Sequence, residues 1–226
     1  RFDNGGRFYR AWWHNVPSEY RKYITIDGKR TCEYDYSQLN PHMVYFLRGA
    51  KMGEEDAYDR VFDGEHRDIV KEAFNAMIQA STNLTHKPKK LDLNEVGFDW
   101  ATLKQAILDA HKPIADVFFQ GHGNHLQYID SCIAENVMLN FIRADDAPVL
   151  PVHDSFIMHY AYGELGELEE EMRRSFHGHF KKDINVKSEI GFMLPSSFDG
   201  KEWSDLTFEE QIHGPPEYSQ WEERNS

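Results

Sequence analysis

The sequence predicts an α+β fold in which a small antiparallel sheet is backed by helices. Alternating apolar and polar residues over 30–36 indicate a strand, and apolar runs at 149–152 and 156–160 around a tight turn indicate a hairpin. Apolar residues at three- and four-residue steps over 65–80 and 126–142 indicate amphipathic helices. With 226 residues, of which 40% are apolar, the chain is long enough to bury a core.

Three further helices complete the predicted order. Residues 41–48 begin with a proline, which suits the first turn of a helix. Residues 100–110 form the next helix, which His111-Lys112-Pro113 interrupts. Residues 164–180 begin with acids and end with bases, as the helix dipole favours. Residues 82–97 have the Asn, Pro and Lys content of a loop.

The charge of the chain is large and unevenly distributed. The net charge is −13, and acids concentrate after residue 199, so we expect residues 1–182 to form the core and 183–226 a C-terminal extension with an acidic tail. Basic residues gather within the first 30 positions and at 87–90, which leaves room for a locally basic cleft. In this basic region, Trp12-Trp13 fits either a core position or a base-stacking surface.

Composition also bears on location. No apolar run approaches the roughly 20 residues that span a bilayer, and no signal-peptide pattern is present, so we expect no membrane association and a cytoplasmic location. Cys32 and Cys132 have no CxxC spacing, which favours free thiols over a zinc site. Because the chain begins at Arg1 without Met, we expect a fragment or a processed chain.

Two aspartates stand where predicted strands end. Asp35 ends the first strand, and Asp154 lies in the turn of the hairpin. Carboxylate oxygens are ligands that Mg²⁺ prefers, and two carboxylates sharing a pair of divalent ions serve phosphoryl transfer. Either aspartate alone fits a turn-forming residue equally well.

The helix over 65–80 offers two cations one turn apart. Arg67 and Lys71 lie on one stripe of this helix, which Asn75 and Gln79 continue. An Arg fork and a Lys point charge together suit a triphosphate, although a solvated helix face has the same pattern. With Asp35 and Asp154, these cations provide the parts of a nucleotidyl-transfer site.

These segments resemble family A DNA polymerases in their order along the chain. Asp35-Tyr36-Ser37-Gln38 resembles motif A, and Arg67-x-x-x-Lys71 resembles motif B on the fingers helix. Val152-His153-Asp154-Ser155-Phe156 resembles motif C, in the HDS form of single-subunit phage-type RNA polymerases. Weaker similarities, in the same order, are Gly6-Arg7, Asn15-Val16-Pro17 and Leu126-Gln127, so the resemblance covers roughly residues 5–180.

The resemblance implies a palm domain with a short helical fingers element and a two-metal reaction that extends a primer. It implies two Mg²⁺ ions, for which Mn²⁺ can substitute, a DNA primer–template and dNTPs or NTPs. The implied metal ligands are Asp35, Asp154 and the carbonyl of Tyr36, with Asp35, Asp154 and Lys71 catalytic. The implied nucleotide-binding residues are Arg67, Lys71, Asn75, Gln79, Asn40 and Gln38, and the implied primer–template contacts are Arg7, Asn15, Gln127 and His153.

The sequence departs from the family pattern where the sugar and the templating base are selected. Asn40 stands where motif A carries the Glu that crowds the 2′ position of the sugar. Asn75 and Gln79 stand where motif B carries two aromatic residues. The choice between deoxyribose and ribose is therefore open, and we expect poor discrimination.

Two other functions fit the same residues. The lost aromatic at Asn75 and the acidic composition also fit a catalytically inactive palm that binds nucleic acid or a replication partner. An RNA polymerase or primase-like activity differs only in substrate. In each case, an upstream thumb, other domains or a replication partner would complete the assembly, and the setting would be a bacterial or phage-infected cell, with a phage or mobile element as the source.

Overall fold

The computed structural model describes residues 5–94 and 96–189, which form two compact units. The helical unit comprises the described residues of Arg1–Arg7 and Gln38–Ser131. The sheet unit comprises the described residues of Phe8–Ser37 and Cys132–Ser226. Of the expected C-terminal extension, only residues 183–189 are described, and the acidic tail after residue 199 lies outside the described residues. The expected boundary at residue 182 remains a prediction.

A five-stranded antiparallel sheet forms the centre of the sheet unit, with β2 as its central strand. Because β4 and β5 both pair with the Glu33–Asp35 stretch of β2, they occupy its opposite edges. β3 and β4 form a hairpin, and β1 pairs with the start of β2. The strands are β1 (Thr25–Ile26), β2 (Lys29–Tyr36), β3 (Leu150–Val152), β4 (Ser155–His159) and β5 (Val186–Glu189).

The helices of both units are α1 (Ser18–Arg21), α2 (Leu39–Leu47), α3 (Arg67–Gln79), α4 (Trp100–Ala110), α5 (Gly123–Asp145), α6 (Tyr160–Glu164) and α7 (Glu167–Phe180), with 3₁₀ turns at Trp12–Asn15, Phe62–Gly64 and Lys112–Val117. The helices α2, α3, α4, α5 and α7 lie close to predicted helical segments, whereas α1 and α6 do not correspond to any predicted helix. The predicted α+β fold, a small antiparallel sheet with several helices, is confirmed. No helix in the described part of the chain is long and apolar enough to cross a bilayer.

The two faces of β2 have different surroundings because side chains alternate along a strand. Cys32, Tyr34 and Tyr36 are buried, whereas Glu33 and Asp35 are half-buried. The buried tyrosines bind α6 and α7. The Tyr34 hydroxyl donates to the Gly163 carbonyl of α6 at 2.9 Å, and the Tyr36 hydroxyl donates to the Met172 carbonyl of α7 at 2.6 Å. β2 therefore separates a core face from a face that carries carboxylates.

An aromatic core closes the helical unit. Phe74 of α3 packs edge-on against Phe118, with ring centroids 5.1 Å apart. His111, fully buried where α4 ends, has its Nδ1 3.0 Å from the Tyr45 hydroxyl of α2. Burial lowers the pKa of His111 to about 4, so its ring is neutral at pH 7 and is compatible with an apolar core.

Several element boundaries differ from the expected ones, and two of the differences have a local reason. The helix predicted over 164–180 is split, because Gly166 adopts a left-handed φ of 75° and starts α7 separately from α6. β4 ends at His159 rather than at 160, because the His159 ring accepts the amide of Ala161 and caps α6. α5 begins three residues before the predicted start at 126.

The close approach of α6 to β2 gives a test of the fold. A Cβ on Gly163 would overlap Cys32 Sγ and lie 2.9 Å from Tyr34 Cε2, so Gly163→Ala should lower the free energy of unfolding by about 1–3 kcal/mol. The control is Gly178→Ala on α7, where a Cβ meets nothing within 4 Å; it should leave stability unchanged or raise it by up to about 1 kcal/mol. Urea denaturation compares the two variants, and equal stabilities would contradict this packing.

Candidate active site

The sheet register makes Asp35 and Asp154 neighbours. Asp35 of β2 is paired with Ser155 of β4, the residue after Asp154. The backbone amide of Tyr36 donates to the Asp154 carbonyl at 3.1 Å, so the ladder continues into the hairpin turn. Since paired residues of antiparallel strands have Cα atoms about 4.5–5.5 Å apart, the two aspartates lie one step apart across adjacent strands. Both are half-buried.

The hairpin that presents Asp154 is tight. Val152 and Ser155 are paired, which leaves His153 and Asp154 as a two-residue turn. His153 has a φ of 57°, a left-handed conformation that is uncommon outside glycine and concentrates at functional sites. The exposed His153 ring stacks on His14 at a centroid distance of 6.4 Å, and the Trp13 indole N–H donates to the Pro151 carbonyl at 3.0 Å. The 3₁₀ turn Trp12–Asn15 thus holds the hairpin, and it also carries the exposed Asn15.

A third carboxylate near Asp35 and Asp154, that of Glu33, was not identified from the sequence. Glu33 shares the Asp35 face of β2, and its Oε1 accepts from the Ser155 hydroxyl at 2.5 Å and from Arg21 Nη1 at 2.9 Å. Strand alternation could have identified Glu33, because residues two apart face the same side. Its partners could not be identified, because they lie 12 and 122 positions away.

The donor set of this region suits Mg²⁺. Asp35 and Asp154 provide hard oxygen ligands, and a backbone carbonyl such as that of Tyr36 has the same chemistry. No group of three or more His, Cys, Asp and Glu side chains within residues 5–94 and 96–189 is arranged to hold a metal. Mg²⁺ commonly binds through one or two carboxylates and completes its shell with water and substrate phosphates, so two carboxylates fit this ion.

In the helical unit, α3 carries the two predicted phosphate-binding cations, which differ in exposure and in ion pairing. Lys71 is exposed. Arg67 donates from Nη2 to Asp56 at 2.7 Å, and its Nε lies 3.5 Å from Asp59. Burial opposes ionisation of Asp56, but hydrogen bonds from Arg67 and the Tyr58 amide outweigh it and lower the pKa of Asp56. A phosphate at Arg67 would therefore share or replace an existing carboxylate partner.

The polar residues expected around a nucleotide also lie in the helical unit. The Asn40 amide of α2 donates to Asn75 Oδ1 of α3 at 2.9 Å, so two of the three positions that depart from the family pattern contact each other. Gln38 has a left-handed φ of 56°, and its side chain accepts the amide of Ala57 at 2.5 Å. Gln79 is exposed at the end of α3 and packs so closely on Gly123 that a Cβ there would overlap it.

Two residues predicted to contact nucleic acid, Arg7 and Gln127, lie near the first turns of α5. The Gly5 amide donates to the Asn124 carbonyl at 2.8 Å, which brings the N-terminal segment beside this helix. Arg7 Nε then lies 2.6 Å from Asp130 Oδ2, one turn beyond the half-buried Gln127. The roles predicted for these residues, as for the rest of the site, remain predictions.

The fold has a counterpart among solved structures. It is similar to that of a DNA polymerase domain. The polymerase domain of Pol1 from M. smegmatis, in a complex with DNA primer–template and dNTP, superposes with a TM-score of 0.51 at 15% sequence identity. The similarity covers 77% of this chain and 43% of the Pol1 chain, so this chain spans less than half of the chain that it matches. No family model and no curated protein matches the sequence.

The Glu33 contacts predict an unequal cost of removing two carboxylate charges. Glu33→Gln should lower the free energy of unfolding by about 1.5–3 kcal/mol, because the charged bonds from Arg21 and Ser155 are largely shielded from water. Asp116→Asn is the matched control, because its pair with Arg48 is more than half exposed; it should cost less than about 1 kcal/mol. Urea denaturation at low salt measures both, and equal costs would show that Glu33 does not brace the sheet.

Proposed function

We propose that this chain catalyses template-directed nucleotidyl transfer of the family A DNA polymerase type, adding nucleotides to a primer 3′ end. The observation that carries the proposal is the β2–β4 register, which makes Asp35 and Asp154 neighbours within a fold similar to a DNA polymerase domain. The partners are a primer–template and dNTPs, the kind of ligands present in the Pol1 complex.

The residues of the sheet unit supply the metal-binding part of the reaction. Asp35 and Asp154 would hold two Mg²⁺ ions, with the Tyr36 carbonyl as a further ligand. Ions bound there would supply a lower pKa for the attacking hydroxyl and charge neutralisation for the phosphates. The Ser155–Glu33–Arg21 contacts keep the hairpin turn fixed on β2, so the carboxylates meet the substrate without reorganising. His153 and Asn15 contact the primer–template.

The residues of the helical unit bind the incoming nucleotide. Arg67 and Lys71 neutralise the triphosphate, and Lys71 gives its proton to the leaving pyrophosphate. Asn40, Asn75, Gln38 and Gln79 contact the sugar and base. Arg7 and Gln127 contact the primer–template.

Extension of a labelled primer–template with Mg²⁺ tests the proposal. Asp35→Asn and Asp154→Asn should each reduce the rate by about 100-fold or more, the usual cost of removing one group that stabilises charge at a reacting centre. Lys71→Ala should reduce the rate similarly while the protein unfolds at the wild-type urea concentration, because Lys71 is exposed.

Asp116→Asn, a surface change of the same kind, should retain the wild-type rate. Absence of extension by the wild-type chain, together with intact primer–template binding, would favour the inactive binding module over the polymerase. Wild-type rates in both aspartate variants would contradict the proposed site.

Sugar selection is the second functional prediction. Asn40 is shorter than Glu and uncharged, so we expect the wild-type chain to incorporate both dNTPs and NTPs. Asn40→Glu should shift the ratio of kcat/KM values toward dNTPs by about 10- to 200-fold. Asn40→Gln has the size of Glu without its charge, so comparing the two variants separates volume from charge. An unchanged ratio in Asn40→Glu would show that another residue selects the sugar.

A further inference from the structure

Exposed aromatic side chains are concentrated in one segment of the sheet unit. Residues 8–23, here the aromatic segment, contain every exposed Phe, Tyr and Trp in the described part of the chain. Their exposed fractions run from 40% to 60%. The other large exposed apolar residues are aliphatic and lie elsewhere. The five rings belong to Phe8, Tyr9, Trp12, Tyr20 and Tyr23.

The aromatic segment is held firmly, so these rings are not the loose end of a chain. Trp13 and Val16 pack on the buried cluster of Ile24, Val152 and Ile157. Trp13 also donates to the Pro151 carbonyl at 3.0 Å. The backbone between these anchors folds into successive tight turns, with amide bonds from Val16 to Trp13, Tyr20 to Pro17, Tyr23 to Tyr20 and Ile24 to Arg21.

This anchoring sorts the aromatic residues into two sets. Trp13 faces the sheet, whereas its neighbour Trp12 is 60% exposed. The two indole rings lie edge-on to each other, with their centroids 5.8 Å apart. Tyr20 and Tyr23 lie 6.5 Å apart, centroid to centroid, on consecutive turns. The outward rings of Trp12, Tyr20 and Tyr23 are therefore presented at fixed positions, which lowers the entropic cost of binding a flat partner.

The charge around these rings identifies the class of partner. Residues 8–30 contain five Lys and Arg against two acids, in a chain whose net charge is −13. Arg10 and Lys22 are exposed, and Lys22 Nζ lies 5.4 Å from the centroid of the Tyr23 ring. Phosphates and bases alternate along a nucleic acid. Cations that alternate with exposed rings can therefore pair with the phosphates while the rings stack on the bases. Stacking on a ring requires unpaired bases, which a single strand offers and a duplex does not.

We propose that the aromatic segment is a binding surface for single-stranded nucleic acid. Bases stack on Trp12 and the tyrosines while Arg10 and Lys22 pair with phosphates. The inference extends the proposed function, because the unpaired part of a template is a single strand. It concerns the outward rings of residues 8–23, whereas the reaction depends on Asp35 and Asp154, so the two proposals can fail independently.

Anisotropy of a labelled oligothymidylate of about 15 nucleotides tests this surface, with the full chain in EDTA and without nucleotide. The single strand should bind more tightly than a blunt duplex of the same length. Trp12→Ala should weaken binding by about 5- to 150-fold, whereas Trp12→Phe, which keeps a ring, should lose much less. The double change Tyr20→Ala/Tyr23→Ala should weaken it comparably and does not depend on the Trp12–Trp13 contact.

Leu165→Ala is the control, because Leu165 is an exposed apolar residue of the same unit outside the segment. It should leave affinity unchanged. Lys22→Ala should reduce the magnitude of the log–log salt slope by about 0.7, the contribution of one phosphate on a single strand.

Wild-type oligothymidylate affinity in both aromatic variants would overturn the proposal and leave a protein partner as the explanation for the exposed rings. Equal affinity for duplex and single strand would overturn it as well. Oligothymidylate binding that depends on the rings, in a chain that does not extend primers, would support this surface and contradict the polymerase proposal alone.

Discussion

The register between β2 and β4 is the constraint on which the sheet unit depends. It pairs Tyr34 with Phe156 and Asp35 with Ser155. A slip of one residue would turn every side chain of β2 to the other face, which would expose the tyrosines and bury Asp35. The Tyr34 and Tyr36 hydroxyls prevent this, because each reaches a helix carbonyl only from the core face. The core side of β2 thus fixes the position of its carboxylate side.

The aromatic segment contacts the β3–β4 hairpin and the neighbouring strand β2. Trp13 binds the Pro151 carbonyl of β3, and Arg21 binds Glu33 of β2. One short stretch of chain therefore contacts β3, which leads into the His153–Asp154 turn, and β2, which pairs with β4 after that turn. If the proposed functions hold, the residues that position the catalytic hairpin and those that stack on a single strand belong to the same rigid segment.

An acidic chain that binds a polyanion must position its cations individually, because its overall field is repulsive. Four of the arginines discussed above have a carboxylate partner within 3 Å: Arg7 with Asp130, Arg21 with Glu33, Arg48 with Asp116 and Arg67 with Asp56. Such pairs fix the side chain, and they also lower its net attraction for phosphate. Exposed Lys22 and Lys71 would suit the contacts of the proposed polymerase, which form and break with each added nucleotide.

The sequence by itself determined the elements whose signal is local. Alternation predicted a strand over 30–36, close to the observed Lys29–Tyr36, and helical periodicity over 65–80 matches Arg67–Gln79. Ordered motifs predicted Asp35, Asp154, Arg67 and Lys71 as site residues, and the register now shows that the two aspartates are neighbours. Periodicity is a property of consecutive residues, so it can be recognised without knowledge of the fold.

Only the tertiary structure decided which distant residues meet. The edge strand β5, the contacts of Glu33 with Arg21 and Ser155, the Asp56 partner of Arg67 and the exposure of Trp12 beside the anchored Trp13 left no readable pattern in the sequence. The physical reason is that pairing and burial depend on which surfaces come together, and residues 12 or 122 positions apart carry no local mark of their contact. The sequence thus determined the parts of the carboxylate site, and the packing of the sheet decided their arrangement.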